Sequence, residues 1–196
     1  MQDKHSSRLF IAVGLLPKMR EDIYRLSRSL AFHIPDVRWI PEQNLHLTLA
    51  FLGNVESRRI AGIQDLLDKA PARYLPITAR FGGLGSFPNQ KRPRIIWLGV
   101  MEGSKELIGL AEDLNRGLEI LGFEPERKRF APHLTLGRVK RGSRTSELRE
   151  ALKKDAEKSI RGMDSLGSLN INMILLMKST LTSRGAIYQI LSRHGN

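Results

Sequence analysis

Histidine and threonine recur at the same spacing in two places along this chain. The tetrapeptide His-Leu-Thr-Leu occupies residues 46–49 and again residues 133–136. Alternate side chains of a β-strand point to the same face, so His46 would share a face with Thr48, and His133 with Thr135. Each strand would then hold an imidazole and a hydroxyl about 6 to 7 Å apart. Two such strands facing each other would form a symmetric acid–base pocket.

The opposite face of each motif strand is expected to be apolar. By simple alternation it would carry Leu45, Leu47, Leu49 and Phe51 in the first strand, and Pro132, Leu134 and Leu136 in the second. These side chains would attach the pocket to a hydrophobic core.

Strand and helix patterns alternate along the chain. These elements would have to hold the two motif strands in position to form such a pocket. Helices are predicted from Pro17 to before Pro35, and over residues 60–70, 104–121 and 145–156. Strands are predicted over residues 9–13, 37–40, 45–52, 75–84, 94–100 and 169–177, around the second motif, and over 186–191. Turns are expected at residues 53–54 and within the Gly-Gly-Leu-Gly stretch at 82–85, and Ser104 is expected to cap its helix.

The composition favours an anionic partner. The chain has 196 residues, 41% of them hydrophobic, which is enough for a substantial core. Lys and Arg number 32 against 20 Asp and Glu, giving a formal net charge of +12. Such an excess attracts nucleic acid or another phosphate-bearing partner, although a basic protein with no such partner would have the same composition.

Several classes of protein and of catalytic site are disfavoured. The chain has no cysteine, which excludes a disulfide scaffold, a thiol nucleophile and thiolate-bound zinc. It also has no His-x-x-x-His spacing for a metal and no Gly-x-Ser-x-Gly serine elbow. We therefore predict no metal and no cofactor. The apolar run at residues 8–13 is too short for a signal sequence, so we expect a cytoplasmic protein without a membrane partner.

The two motifs and their flanks resemble those of the two-histidine phosphoesterase superfamily, within it the RNA 2′,3′-cyclic phosphodiesterases of the LigT type. The resemblance rests on residues 8–13, 39–53, 87–88, 94–99, 130–138 and 179–188. It implies an α+β fold of two pseudo-symmetric lobes, each an antiparallel sheet with outer helices, around a central basic cleft. Residues 1–196 would form this single bilobal domain, with one motif in each lobe.

The resemblance also implies a reaction and its residues. Metal-independent hydrolysis of a 2′,3′-cyclic phosphate would use His46 as proton donor and His133 as proton acceptor, while Thr48 and Thr135 bind the phosphate. The two motifs themselves are symmetric and do not distinguish acid from base. The expected partners are RNA ends or nucleotides with a 2′,3′-cyclic phosphate, and a monomer is expected. The alternatives are 2′,5′ RNA ligation in the reverse direction and a non-catalytic module that binds RNA ends.

Three further residues are candidates for substrate contact. Arg138 is predicted near the rim of the pocket, where it would meet a phosphate, or else it is a solvated surface arginine. Tyr188 and Arg184 would stack on or hold a nucleotide, or else they are a packed tyrosine and a loop arginine. The aromatic residues Trp39, Phe87 and Trp97 are interpreted as packing residues. His194 is interpreted as part of a frayed terminus.

Overall fold

A computed structural model of the chain describes residues 6–89, 91–126, 128–141, 143, 150, 166–183 and 185–195. Its helices are α1 (Pro17–His33), α2 (Ile60–Lys69) and α3 (Ser104–Ile120). Its strands are β1 (Ser6–Val13), β2 (Val37–Trp39), β3 (Leu47–Glu56), β4 (Ile77–Phe87), β5 (Ile95–Glu102), β6 (His133–Val139), β7 (Ser168–Ile171), β8 (Met173–Thr182) and β9 (Gly185–Gly195). Apart from Glu150, the predicted helix at residues 145–156 lies outside the described residues.

The strands form one antiparallel sheet in the order β7-β4-β5-β6-β3-β1-β8-β9, with β2 paired to β6. β7 and β8 lie far apart in this order, yet Asn172 alone separates them in the chain. The sheet must therefore curl. Its two halves, β7-β4-β5-β6 and β3-β1-β8-β9, are joined where Leu47 pairs with Leu134. This architecture confirms the predicted α+β class.

The main hydrophobic core lies between the sheet and the helices. Ile23 of α1, Ile63 of α2 and Leu110 of α3 are fully buried in the same cluster as Leu47 and Leu134. Burial of such aliphatic side chains stabilises the fold by about 1.5 to 3 kcal/mol each. The two motif strands are thus attached to the core by their leucines, as the sequence predicts.

A second, smaller cluster covers part of the other face of the sheet. Phe10 and Ala12 of β1 pack there with Leu175 and Met177 of β8, and Tyr188 of β9 packs against them. β1 therefore buries side chains on both faces, because it is a central strand of the sheet.

Two of the predicted turns are wrong. β3 continues through Gly53 to Glu56, and Gly53 takes a positive φ of 69° beside a register shift against β1. The glycine-rich stretch at 82–85 also lies inside a strand, β4, with Gly83 at φ 72°. In both places a glycine accommodates an irregularity of the ladder without ending the strand.

Glycine in β4 also makes room for a ring. A Cβ atom added to Gly85 would lie 2.2 Å from the indole of Trp97 on the neighbouring strand. The indole therefore lies directly over the β4 backbone at that position, which a side chain would prevent.

The C-terminal strands also differ from the prediction. The single strand expected at 169–177 is two strands, and β9 extends to Gly195. His194 is buried, with its Nδ1 2.6 Å from Asp68 Oδ1 and its Nε2 2.7 Å from Ser192 Oγ. The interpretation of His194 as a frayed residue is wrong, because this network ties β9 to α2.

The N-cap of α3 differs from the prediction. Gly103, at φ 78°, occupies this position, so Ser104 is the first helical residue and not the cap. Within the described residues, none of the helices combines the length and apolar character needed to cross a membrane.

Candidate active site

The two motif strands lie side by side, and their junction positions both motifs. β3 and β6 pair at Leu47 and Leu134, and each leucine stands between the histidine and the threonine of its own motif. Because the strands are antiparallel, this register places the histidine of each motif beside the threonine of the other. All four polar side chains are half-buried on the face opposite the leucines. The arrangement has approximate two-fold symmetry about the leucine pair.

His46 follows a short 3₁₀ turn (Glu42–Asn44) that fixes its ring. Its Nδ1 lies 2.8 Å from the carbonyl oxygen of Asn44, and its Nε2 lies 3.0 Å from Thr48 Oγ1. A carbonyl oxygen only accepts hydrogen bonds, so Nδ1 carries the proton. Nε2 is then the nitrogen that gains or loses a proton.

The ring of His133 is held in the same way. Its Nδ1 lies 2.7 Å from the carbonyl oxygen of Ala131, again two residues earlier in the chain. Nδ1 of His133 therefore also carries the proton, and Nε2 is the nitrogen that can accept one. Among the described residues, Thr135 Oγ1 has no hydrogen-bond partner, which leaves this hydroxyl available to a ligand.

Burial lowers the pKa of both histidines below the ordinary value of 6.5. Desolvation is the largest cause at each ring, and the hydrogen bond to the carbonyl of Asn44 or Ala131 opposes it. The charge of His133 lowers the pKa of His46 further, and the charge of Arg138 does the same to His133. His133 is therefore close enough for its charge to act on His46, and both imidazoles are harder to protonate than a free imidazole.

Aromatic rings surround His46. The ring centroid of His46 lies 5.0 Å from that of Phe10 and 5.2 Å from that of Tyr188, and the rings of His46 and Tyr188 are perpendicular. Phe10 and Tyr188 are themselves 5.1 Å apart. The structure thus places the predicted candidate Tyr188 directly against the first motif histidine. Phe10 was not singled out by sequence, since one apolar residue in a buried strand carries no distinguishing signal.

A second aromatic pair surrounds His133. Its centroid lies 4.9 Å from Phe87, with the rings nearly perpendicular, and 6.3 Å from Trp97. Phe87 and Trp97 are 5.2 Å apart. From the sequence, both are interpreted as ordinary packing residues. They do pack, but the side chain they pack against is the second motif histidine.

A β-bulge follows the threonine of each motif. The pairing of β3 with β1 skips Leu49, and the pairing of β6 with β5 skips Leu136. Each bulge shifts the alternation of side chains by one residue. The residue three places after each threonine therefore lies on the histidine face.

The bulge changes the expected position of Phe51. Simple alternation places it on the apolar face with Leu47, which is wrong. Phe51 is 67% exposed and its ring centroid is 6.3 Å from that of Phe10, near His46. The sequence carries no separate signal for this bulge.

The corresponding residue of the second motif is Arg138. It is exposed and close enough to His133 to lower the pKa of that imidazole. Its neighbour across the strands is Arg38 of β2, also exposed. Neither arginine has a carboxylate within ion-pairing distance among the described residues. Two unneutralised guanidinium groups thus lie together beside the second histidine. Sequence reasoning did not find Arg38, because its pairing with β6 is long-range.

The predicted candidate Arg184 lies outside the described residues. Asn44, which sequence reasoning missed, donates from Nδ2 to the carbonyl oxygen of Ala186 on β9 at 2.8 Å. It therefore anchors the 3₁₀ turn whose carbonyl holds His46.

Solved structures share this fold. A Thermus thermophilus protein, TT0787, superimposes with a TM-score of 0.75 at 24% identity, covering 96% of this chain and 97% of that one. The apo form of LigT from E. coli gives a TM-score of 0.73 at 23% identity, covering 98% and 100%. At this identity the likeness concerns the fold.

Curated relatives match at higher identity. A protein of Archaeoglobus fulgidus is 35% identical over 182 residues, covering 93% of this chain and 96% of its own length. One of Aquifex aeolicus is 33% identical over 184 residues, covering 93% and 94%. Both are named RNA 2′,3′-cyclic phosphodiesterase.

The chain also matches a family model. The model described as the 2′-5′ RNA ligase superfamily matches residues 7–163, a span that includes both motifs. Together with the relatives and the fold, this match confirms the resemblance to the two-histidine phosphoesterases. The chain belongs to the 2′-5′ RNA ligase superfamily.

Proposed function

We propose that this protein hydrolyses the 2′,3′-cyclic phosphate of RNA or nucleotide ends to a 2′-phosphomonoester, using His46 and His133 as acid and base. One observation carries the proposal. Two imidazoles with their Nδ1 atoms held by carbonyl groups share one face of the sheet, each beside a threonine of the other strand. The names of the curated relatives support cyclic phosphodiesterase activity in particular.

The reaction needs a proton acceptor and a proton donor on opposite sides of phosphorus. Water attacks phosphorus as Nε2 of His133 removes its proton, and the 3′-oxygen leaves with the bonding electrons. Protonated Nε2 of His46 supplies the proton that turns this oxygen into a 3′-hydroxyl. The 2′-oxygen stays on phosphorus, which gives the 2′-phosphomonoester.

The threonines stabilise the charge that develops on the phosphate, and the bound phosphate stabilises the protonated form of His46. The hydroxyl groups of Thr48 and Thr135 donate to the non-bridging oxygens, holding phosphorus between the two rings as charge develops. His46 must be protonated although burial lowers its pKa. The negative charge of the bound phosphate favours the protonated imidazole, so binding itself prepares the acid.

The surroundings of the site support an RNA substrate. Arg38 and Arg138 form a cationic pair on the histidine face with no carboxylate of the described residues within ion-pairing distance, and the net charge of the chain is +12. Guanidinium groups bind phosphate oxygens in a bidentate manner. Further phosphates of an RNA chain would be bound here in addition to the cyclic one.

The test uses two variants and the identity of the product. With excess chelator present, wild type should convert a 2′,3′-cyclic nucleotide to the 2′-phosphate, identified by phosphorus NMR. His46→Ala and His133→Ala should each lower turnover at least about 100-fold. Thermal unfolding of each variant checks that the fold is intact.

A substrate with an activated leaving group separates the two roles. Nitrophenolate leaves without protonation, so His46→Ala should regain activity on a nitrophenyl phosphodiester, whereas His133→Ala should not. Full activity of both alanine variants on the cyclic substrate overturns the mechanism. Salt-sensitive binding of cyclic-ended RNA without ring opening indicates the non-catalytic binding module.

Ligation in the reverse direction is the second candidate, favoured by the description of the matching family model. A 5′-hydroxyl would take the place of water and form a 2′,5′ linkage using the same two histidines. Incubation of cyclic-ended RNA with excess 5′-hydroxyl RNA tests this. A joined product that disappears in His46→Ala and His133→Ala supports it, and hydrolysis alone excludes it.

A further inference from the structure

A histidine–hydroxyl pair also lies outside the two motifs. His194 and Ser192 of β9 stand two residues apart, and Nε2 of His194 lies 2.7 Å from Ser192 Oγ. On the other side of the ring, Nδ1 lies 2.6 Å from Oδ1 of Asp68 on α2. One chain of hydrogen bonds thus connects a hydroxyl, an imidazole and a carboxylate. This is the order of groups that activates a serine nucleophile.

The pair lies on the core face of the sheet. Directly opposite residues of neighbouring antiparallel strands share a face. Ser192 pairs with Leu176 of β8 and His194 with Ile174, and both of these partners are buried in the main core. The two motif histidines lie on the other face. The sheet itself therefore separates this pair from the candidate active site.

A bulge in β9 produces this arrangement. The pairing of β9 with β8 skips Leu191, which lies between Ile190 and Ser192. Regular alternation would place Ser192 and His194 on the face of Tyr188 and Ile190, away from α2. The bulge shifts the alternation by one residue, so both polar side chains lie on the side of the helix.

The carboxylate fixes the position of the proton on the ring. An ionised carboxylate only accepts hydrogen bonds, so Nδ1 of His194 carries the proton and Nε2 accepts the hydrogen bond of the Ser192 hydroxyl. At His46 and His133 the group beside Nδ1 is a neutral carbonyl. The negative charge of Asp68 stabilises an imidazolium more strongly than a carbonyl dipole does, which favours removal of a proton from the serine.

The hydroxyl is accessible from solvent. His194 is buried, but Ser192 is only half-buried and the side chain of Asp68 is 65% exposed. β9 is the last strand of the sheet, so alternate N–H groups along it point away from β8. Within the described residues, none of these N–H groups has a backbone acceptor outside the sheet. They would stabilise negative charge on an oxygen beside Ser192.

We propose that Ser192, His194 and Asp68 form a nucleophilic serine site that accepts small acyl groups from activated esters. Oγ of Ser192 attacks the carbonyl carbon as its proton passes to Nε2 of His194, and the alcohol leaves after taking that proton. Water then attacks the acyl-serine, gives its proton to Nε2 and releases the carboxylic acid, and the proton returns to Oγ. The balance is ester and water to acid and alcohol. Asp68 does not touch the ester and is a positioning residue.

The first test is covalent labelling. A small fluorophosphonate reacts with an activated serine by forming a bond from phosphorus to Oγ as fluoride leaves. Mass spectrometry of intact wild type should show one added phosphonyl group, and peptide mapping should place it on Ser192. Ser192→Ala should lose the label. Ser168→Ala, which removes an exposed serine of β7, is the control and should label like wild type.

The second test measures turnover of p-nitrophenyl acetate. Wild type should release a burst of about one nitrophenolate per protein before slower steady turnover, because acylation precedes hydrolysis. Ser192→Ala and His194→Gln should each lower the acylation rate at least about 100-fold. Because His194 is buried and its replacement weakens the fold, Ser192→Ala is the decisive variant, and thermal unfolding is measured for both.

Asp68→Asn tests the positioning role. An amide NH₂ donates to Nδ1, which moves the ring proton to Nε2 and removes the acceptor for the serine hydroxyl. Labelling should slow at least about tenfold. Asp68→Glu keeps the charge and should recover part of the rate, which a merely structural role would not require. Asp65→Asn, an exposed change on the same helix, should leave the labelling rate unchanged.

Neither test involves a cyclic phosphate, so this proposal stands or fails separately from the proposed function. Absence of label on Ser192, or labelling of wild type and Asp68→Asn at the same rate, overturns it and leaves the network as a structural tie between β9 and α2. Labelling of Ser192 that requires both His194 and Asp68 supports it, whether or not the protein opens a cyclic phosphate.

Discussion

At each motif histidine, the carbonyl oxygen two residues earlier holds the proton on Nδ1 and leaves Nε2 as the ring nitrogen that can exchange a proton. Asn44 provides this oxygen for His46 and Ala131 provides it for His133. Both rings also pack against aromatic side chains, which removes water and lowers their pKa values. The chemical properties of the two motifs are therefore set by groups outside the motifs.

The lowered pKa values predict the pH dependence of kcat/KM in the free enzyme. The base must be neutral and the acid protonated, so the profile should be bell-shaped. Because both pKa values lie below 6.5, both limbs move towards lower pH and the maximum should lie below pH 6.5. Initial rates at low substrate concentration, from acid to mildly alkaline pH, measure this profile.

A variant that removes one charge shows which limb of the pH profile is set by the pKa of His133. Arg138→Gln removes a cation that disfavours the imidazolium form, so the pKa of His133 should rise. If His133 is the base, the acidic limb should move to higher pH while the alkaline limb stays. Arg28→Gln, with the same loss of charge on α1, should move neither limb. A shift of the alkaline limb alone would assign His133 as the acid.

Asn44 is predicted to act as a positioning residue. Asn44→Ala removes the hydrogen bond to Ala186 and frees the turn whose carbonyl orients His46. We expect kcat to fall about tenfold with little change in KM, since the substrate contacts remain. Steady-state kinetics measure this, with Asn54→Ala, an exposed site on β3, as the control. An unchanged kcat for Asn44→Ala would exclude the positioning role.

At the scale of the elements, irregularities in the strands shape the candidate site. Bulges at Leu49 and Leu136 bring Phe51 and Arg138 to the histidine face. Their matching positions in the two motifs fit the expected pseudo-symmetry of the two lobes. Regular strands would have directed both side chains towards the core, where an arginine would be strongly unfavourable.

The close contact between β4 and Trp97 gives a prediction at this scale. In Gly85→Ala the new Cβ would lie within 2.2 Å of the indole, which must move away from its position beside Phe87 and His133. We expect a loss of about 1 to 3 kcal/mol in the free energy of unfolding, together with a lower kcat.

Denaturant unfolding and steady-state kinetics measure the two effects. Gly62→Ala is the control, because its Cβ, inside α2, would make an ordinary 3.6 Å contact with Leu121. That change should be neutral or stabilising by up to about 1 kcal/mol. Wild-type stability and kcat in Gly85→Ala would show that the indole position does not matter.

At the scale of the whole molecule, the candidate site exists because two half-sheets meet. Leu47 and Leu134 form the pairing that joins them, and each half brings one histidine with its aromatic pair. A cavity of about 370 Å³ opens beside His46 and Tyr188 and is also lined by Leu169 and Ile171 of β7, whereas the paired arginines lie on the His133 half. The approximate symmetry of the motifs therefore does not extend to their surroundings.

The net charge of +12 predicts salt-dependent binding of long substrates. For a cyclic-ended oligonucleotide, KM should rise steeply between about 50 mM and about 300 mM salt, because cations bound to its phosphates are released on association. A cyclic mononucleotide, with one phosphate, should show a much smaller slope of log KM against log salt. Arg38→Ala should reduce the oligonucleotide slope and leave the mononucleotide slope unchanged. Equal slopes for both substrates in wild type would show that only the terminal phosphate is bound.

Much of the fold follows from local pattern. The bounds of α1 and α2 agree closely with the prediction, since the periodicity of apolar residues and the prolines mark them directly. The predicted bounds of the strands agree less well with the structure. Gly53 and Gly85 are indistinguishable by sequence from turn glycines, and only the neighbouring strands show that the ladder continues past them. His194 was misinterpreted for a similar reason, because its partner Asp68 is distant in sequence.

The sequence by itself determined the two His-x-Thr motifs, the family, the α+β class and the basic character of the chain, because each is expressed by residues close together or by composition. The tertiary structure alone decided which side chains surround the motifs. Phe10, Phe87, Arg38 and the cavity beside His46 reach the site through pairings between distant strands. Register and bulges set those pairings, and they depend on the packing of the whole sheet and not on any local run of residues.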